Sequence, residues 1–247
     1  MDRVAVLFNA RSGALLSRAG TVLAAAEHLR DTEVPLGILP GGTMNVLARD
    51  LGVPADLDLA VAAPVARIDM ATVNGRPFLC SSMLAMMPHL GRIREQARGR
   101  RWRSRWRLLE RAVQVVRRYP RVLLRITVDG REHRARTRTV VVSCNPLSAG
   151  PPPMPGRERL DAGLLAVYVT QEWTSGDLLA VAARLFRGDW QQDRRIQRHE
   201  GRTVRVASPH MAMMSVMSDG EIARLSMPLT FEIRPRALAV LMPGAAS

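Results

Sequence analysis

An apolar run from Val34 to Leu39 meets Pro40-Gly41-Gly42 and then Thr43-Met44-Asn45-Val46-Leu47, and no other stretch of the 247-residue chain limits its fold so tightly. The apolar run reads as a buried strand. Pro-Gly-Gly ends it. Thr43 or Asn45 then caps a helix that carries Val46, Leu47 and Leu51 on one face, and Gly52 with Pro54 stops that helix. A strand, a glycine turn and a helix N-terminus in this order are the elements of an α/β layer. They also make an anion site, because unpaired backbone N–H groups and the positive helix end face one point. On spacing alone the same pattern fits an ordinary connection with no ligand.

The residues themselves narrow the choice. Pro40 to Gly52 resembles the Pro-x-Gly-Thr-x-Asn-x-x-Ala-x-x-Leu-Gly signature of the diacylglycerol-kinase catalytic domain, which bacterial lipid kinases also carry. Later segments agree with it: Ile68-Asp69 and the hairpin Val73-Asn74-Gly75-Arg76-Pro77-Phe78, then Arg157-Glu158 with Leu160-Asp161-Ala162-Gly163, then Ser218-Asp219-Gly220-Glu221, and last Arg234 to Pro243. The resemblance implies ATP and Mg²⁺ as cofactors and a lipid hydroxyl as acceptor. It implies Glu221 as the base, with Asp219 orienting it or assisting a cation. Asn9, Ser12, Gly13, Gly20, Thr21, Gly42, Thr43 and Asn45 fall at the family's nucleotide-contacting positions. Asp161 falls at a family metal position, where Ala162 replaces a second aspartate.

One region departs from the pattern. Val4 to Phe8 is a good first strand and Asn9-Ala10-Arg11-Ser12-Gly13 a fair first turn. Ser17-Arg18-Ala19-Gly20-Thr21 follows almost at once and resembles the tail of the family's Gly-Gly-Asp-Gly-Thr, with Ala19 at the aspartate position. A strand-helix-strand unit needs about 30 residues, and that much is missing between Asn9 and Thr21.

Charge is the second strong signal. All 36 basic residues are arginine, against 22 acidic residues, for a formal net charge of +14. With no lysine, neither a Walker-type phosphate lysine nor a Schiff-base mechanism is available. Twelve arginines lie between Arg92 and Arg121, interleaved with Trp102, Trp106, Leu109, Val113 and Val116 at helical spacing. An amphipathic arginine-rich helix of this kind suits an anionic membrane surface. Simple packing of the helix on its own domain competes with that reading, and nucleic acid is the least favoured partner. No apolar run approaches the roughly 18 residues of a membrane span. Cys80 and Cys144 have no metal spacing and read as buried thiols in a reducing compartment. The five histidines show no ligand spacing. The methionines, Met83, Met86, Met87, Met211, Met213, Met214 and Met217 among them, fit core filling better than an acyl pocket.

The expected fold is α/β + β. Residues 1–66 form a truncated α/β nucleotide-binding domain, residues 67–234 a β-sandwich-like domain, and residues 235–247 return to the first. Within the second, Arg121–Val128, Asp129-Gly130 and Arg134–Ser143 read as a hairpin. Leu164–Thr170, Thr203–Ala207, Met211–Met217, Ala223–Met227 and Leu229–Ile233 read as further strands, and Ser175–Phe186 as a helix with Asp177 near its start. Two functions remain open: a cytoplasmic, peripherally membrane-associated lipid kinase, or a catalytically inactive relative that binds lipid or membrane.

Overall fold

The computed structural model describes residues 6–9, 22–40, 45–53, 60, 62–97, 102–148, 155–157, 159–171 and 174–243. A mixed helix and sheet region comes first and an antiparallel, sheet-rich region follows. In the first, β1 (Val6–Asn9) and β2 (Leu36–Leu39) run parallel, with Val6 opposite Leu36 and Asn9 opposite Leu39. Helix α1 (Val22–Leu29) and helix α2 (Val46–Asp50) cover them. Leu36, Ile38, Ala26, Leu47 and Leu51 form a cluster there with Ile68, Met70, Leu238 and Val240.

The last strand, β14 (Leu229–Leu241), joins this layer to the rest. One side of it pairs antiparallel with β3 (Val65–Val73) over most of its length. On its other side, its first half pairs with β11 (Thr203–Ala207) and its second half meets β2 in parallel, Val240 opposite Leu36. The ladder with β3 is interrupted between Arg234 and Leu238, and Arg236 has φ 52°. Pro235 offers no N–H to a ladder. The expected strand Leu229–Ile233 is thus only the first half of a 13-residue strand that bends at Pro235 and continues.

Two sheets form the sandwich. The first continues from β11 into β6 (Val122–Val128) and β7 (Arg131–Thr137), with β4 (Arg76–Phe78) on the outer edge of β3. The second runs in the order β10 (Ile196–Gly201), β9 (Leu165–Thr170), β8 (Thr139–Cys144), β5 (Ser81–Ala85), β12 (Met213–Ser218) and β13 (Glu221–Ser226), antiparallel throughout. Phe78, Leu84, Leu124, Ile126, Val140, Val142, Leu165, Val167, Val204, Val216, Leu229 and Phe231 fill the space between the sheets.

One expectation fails here for a physical reason. Arg134–Ser143 is two strands in different sheets, divided at Arg138. The Thr137 hydroxyl is buried and donates to the Thr170 carbonyl at 2.7 Å while accepting the Thr139 amide at 3.0 Å, so the crossing is satisfied internally. The Arg92–Arg121 segment is two helices, α3 (Met87–Ala97) and α4 (Trp102–Arg118). On α4, Leu108 is buried, but Val113, assigned to the apolar face, is 46% exposed. The side chains of Trp102, Trp106 and Leu109 lie outside the described residues. Helix α5 (Ser175–Arg187) starts with a reciprocal cap: Asp177 accepts the Thr174 amide and hydroxyl, each at 2.8 Å, and donates its own amide to the Thr174 hydroxyl at 3.2 Å.

Candidate functional site

The parallel strands bring two sequence-predicted segments together. Asn9 ends β1 beside Leu39, so the first turn and the Pro40 turn both leave from the carboxyl ends of adjacent parallel strands. Open α/β sheets bind ligands at that edge. Ser12, Gly13, Gly20, Thr21, Gly42 and Thr43 lie outside the described residues. Asn45 is described, and it corrects the capping expectation. It sits at the helix N-cap in the left-handed region, φ 43° and ψ 35°, without a side-chain cap hydrogen bond. Helix α2 has only five residues, so its dipole contributes little to anion binding. Its stop matches expectation: Gly52 has φ 67°, and an added Cβ there would lie 3.3 Å from the Pro243 carbonyl oxygen.

Glu221 lies across the molecule's waist. Ser218, Asp219, Gly220 and Glu221 form the two-residue turn between β12 and β13, with φ 48° at Asp219 and 94° at Gly220. Paired positive φ values mark the hairpin turn that favours Asp-Gly. The exposed Glu221 side chain lines a cleft of about 100 Å³. Leu23 of α1, Val73, Arg76 and Pro77 of the β3–β4 hairpin, and Val216, Ser218, Ile222, Ala223 and Leu225 complete its lining. The cleft therefore joins the helix that directly follows Gly20-Thr21 to the Asp-Gly-Glu turn. Most of its lining residues are apolar, but polar groups make up most of its open surface, among them one carboxylate and one guanidinium, a suitable surface for the hydroxyl-bearing end of an amphiphile. Neither the Glu221 nor the Arg76 side chain makes a hydrogen bond or ion pair among the described residues.

Asp219 does not face this cleft as a free acid. It accepts the amides of Leu79 at 2.6 Å, Cys80 at 3.0 Å and Ser81 at 2.8 Å, and returns its own amide to the Ser81 carbonyl at 3.0 Å. The turn is exposed as a whole, while the carboxylate is pressed against the backbone that enters β5. Enclosure there pushes the Asp219 carboxyl above its ordinary range, against the opposing pull of the three amides and Arg157. Its geometry is that of a fastening for the turn that carries Glu221.

Three buried polar residues that sequence reasoning did not select complete the junction. The Arg157 Nε donates to Asp50 at 2.9 Å, and both side chains are 2% exposed. Its Nη1 donates to the carbonyls of Leu79 at 2.5 Å and Cys144 at 2.9 Å, and Nη2 lies 3.5 Å from the Cys80 sulfur. Burial works against the guanidinium charge, but the neighbouring Cys80 and Asp50 groups outweigh it and hold the pKa above the ordinary value. Burial pushes the Cys144 thiol up to about 12 and the Cys80 thiol well above its usual range. Asp69 is also buried, and it accepts the amides of Gly163 at 2.6 Å and Arg236 at 2.7 Å. A buried charge in a loop or short helix has no periodic sequence signal.

The Leu160–Gly163 loop tests the metal expectation. Asp161 points to Arg159, whose Nη2 lies 3.2 Å from its carboxylate. Asn145 accepts the Ala162 amide at 3.0 Å, and Asp69 holds Gly163. Among the described residues no group of three His, Cys, Asp or Glu side chains is placed to hold a metal ion. A hard cation needs several converging oxygens, and the donors described around Asp161 do not supply them.

The sequence profile of the YegS C-terminal NAD kinase beta sandwich-like domain matches residues 91–242, and that of the diacylglycerol kinase catalytic domain matches residues 19–73. The chain belongs to the diacylglycerol-kinase-like lipid kinase family. A diacylglycerol kinase of Mycobacterium tuberculosis (strain CDC 1551 / Oshkosh) is 27% identical over 235 residues, spanning 91% of this chain and 74% of that protein. The diacylglycerol kinase of strain ATCC 25618 / H37Rv matches with the same identity and coverage. A crystal structure of a putative diacylglycerol kinase from Bacillus anthracis str. Sterne superposes with a TM-score of 0.69 at 20% identity, covering 98% of this chain and 77% of that one. A second structure of a putative diacylglycerol kinase from that strain gives 0.67 at 21%, covering 98% and 78%. These likenesses establish the lipid-kinase fold, and the chain spans about three quarters of the length of these relatives.

Proposed function

We propose that this chain transfers the γ-phosphoryl group of ATP to a primary hydroxyl of a lipid such as diacylglycerol, with Glu221 as general base. The observation that carries this reading is the position of Glu221 in a cleft beside α1 that it shares with Arg76, where its carboxylate has no protein partner among the described residues. The lipid hydroxyl gives its proton to Glu221. Its oxygen then forms a bond to the γ-phosphorus as the bond to the β,γ-bridging oxygen breaks, and ADP leaves. Little covalent chemistry falls to the protein in such a transfer, so positioning and charge supply most of the rate. The Asn9 and Gly42–Asn45 turns hold the phosphates at the strand ends, and Arg76 is the cation of the acceptor cleft. Mg²⁺ accompanies ATP as part of the substrate.

Helix α4 supports work at a membrane surface. Arg107, Arg111, Arg117 and Arg118 are exposed on it without an acidic partner among the described residues. No helix among the described residues is long and apolar enough to cross a membrane.

A second reading, an inactive lipid-binding relative, draws on two observations: the match spans only 74% of the relative's length, and Ala19 stands where the family has aspartate. A radiolabelled-phosphate assay with diacylglycerol in mixed micelles separates the two. The kinase reading expects transfer by the parent and a loss of about 100-fold or more in Glu221→Gln, the usual contribution of a general base. Equal background from both proteins overturns it.

A further inference from the structure

Helix α2 and the Glu221 turn belong to different parts of the fold, yet a continuous chain of polar contacts joins them, buried at its Asp50–Arg157 end. It begins at Asp50, the last residue of α2, five positions after Asn45. Asp50 pairs with Arg157 at 2.9 Å. Arg157 grips the Leu79 carbonyl at 2.5 Å and the Cys144 carbonyl at 2.9 Å, so it holds the lead-in to β5 and the last residue of β8. The amides of Leu79, Cys80 and Ser81 in turn hold Asp219, two residues before Glu221. Gly156 admits the close approach: a Cβ there would lie 3.2 Å from Asp50 Oδ1.

Resting on the kinase reading above, we propose that Arg157 is a positioning residue for phosphoryl transfer, tying helix α2, which follows the glycine turn in sequence, to the Glu221 turn. A guanidinium is required because it serves three acceptors in one plane, one carboxylate and two carbonyls, which an ammonium cannot do with the same geometry. Both ends of this tie are short, a five-residue helix and a two-residue turn, and neither has the length to stay in place alone. In-line transfer loses rate steeply with small misplacements of the reacting groups. The pair therefore lies far from any reacting atom yet acts on the distance between base and phosphate.

Arg157→Lys, Arg157→Met and Asp50→Asn test this with three readouts: amide hydrogen exchange, binding of a fluorescent ATP analogue, and the split of kcat from KM. In Arg157→Lys the amides of Leu79, Cys80 and Ser81 are expected to exchange at least tenfold faster, while Val140 and Val142 in the sandwich core keep parental protection. Analogue affinity falls several-fold, and kcat falls more than KM rises. If Arg157→Lys fails to fold, Asp50→Asn is read in the same way, since it keeps the arginine. Parental exchange at Leu79 to Ser81 in a folded variant overturns the proposal. So does loosening of those amides with unchanged analogue binding and unchanged kcat. A parent that binds no nucleotide and transfers no phosphate removes the kinase reading and the positioning role together, whereas a parent that does both, with indifferent Arg157 variants, removes only the latter.

Discussion

Asp219 Oδ2 accepts the Leu79 amide at 2.6 Å, so the turn bearing Glu221 is fastened to the entry of β5 across 140 residues of sequence. A free hairpin tip would let Glu221 sample many positions over the cleft. Fastening on the β12 side of the turn, by Asp219 and by the 3.0 Å contact between the Ser82 and Ser218 hydroxyls, restricts that freedom.

Asp219→Ala is expected to destabilise the fold by about 1–3 kcal/mol, because three backbone donors lose their acceptor. Asp219→Asn keeps one carbonyl acceptor and is expected to cost less. Denaturant unfolding of the three proteins gives the order directly. Catalysis should fall more than stability in both variants, since Glu221 loses its anchor.

Arg76 has a different signature. It is exposed and unpaired among the described residues, so Arg76→Ala is expected to leave stability within about 0.5 kcal/mol. It lines the cleft opposite no other cation, and charge-assisted bonds to phosphoryl oxygens are about twice as strong as neutral ones. A fall in kcat/KM of about tenfold or more, with the melting temperature unmoved, is expected. Unchanged kinetics in an active parent would place the phosphoryl group elsewhere.

The local elements were legible because short-range rules govern them. Asn74-Gly75, Asp129-Gly130 and Asp219-Gly220 all adopt the paired positive φ that such dipeptides favour, and each closes a hairpin. Thr174 and Asp177 cap α5 as their spacing suggests. What stayed hidden depends on distant partners. Pro235 looks like the end of a strand, yet β14 continues because Asp69 takes the Arg236 amide and because β3 pairs on both sides of the bend. Arg138 looks like mid-strand, and only the Thr137 and Thr170 contact shows that the chain changes sheets there. The site was half legible. The Asp-Gly-Glu turn and the glycine turn could be named from their residues, whereas Asp50, Asp69 and Arg157 could not, since nothing local marks a charge that is buried against another part of the fold.

The His133 and His199 rings stack at 3.9 Å between β7 and β10, on the edge strands of the two sheets. Burial, with a smaller push from His133, lowers the His199 pKa below the ordinary 6.5. Above that pH the ring is neutral in the folded and unfolded chain and contributes no pH dependence. As pH falls below 6.5, the unfolded chain binds the proton first, so stability declines until the folded pKa is passed and then levels. His199→Gln is expected to flatten this part of the profile. Denaturant midpoints measured from about pH 8 to about pH 5 compare the two; parallel curves would show that the stack carries no linkage.

Binding to anionic vesicles should depend on α4 and on salt. Its arginines at 107, 111, 117 and 118 are exposed, and Val113 among them is an exposed apolar contact. Each basic residue near an anionic surface contributes about 1 kcal/mol. Arg111→Gln combined with Arg118→Gln is then expected to cost about 2 kcal/mol, or roughly 30-fold in partition coefficient. Screening gives a second, independent mark: the Debye length shortens from about 10 Å at 0.1 M salt to about 3 Å at 1 M, so parental binding should collapse across that range. Tryptophan emission reports the same event, because Trp102 and Trp106 belong to this helix and shift to the blue on leaving water. Two controls decide the source of any binding. Zwitterionic vesicles should take up little protein, and diacylglycerol added to them should not restore what anionic lipid provides. If the double variant binds as the parent does, or if neutral vesicles bind equally well, α4 packs on its own fold and the membrane is reached by another face.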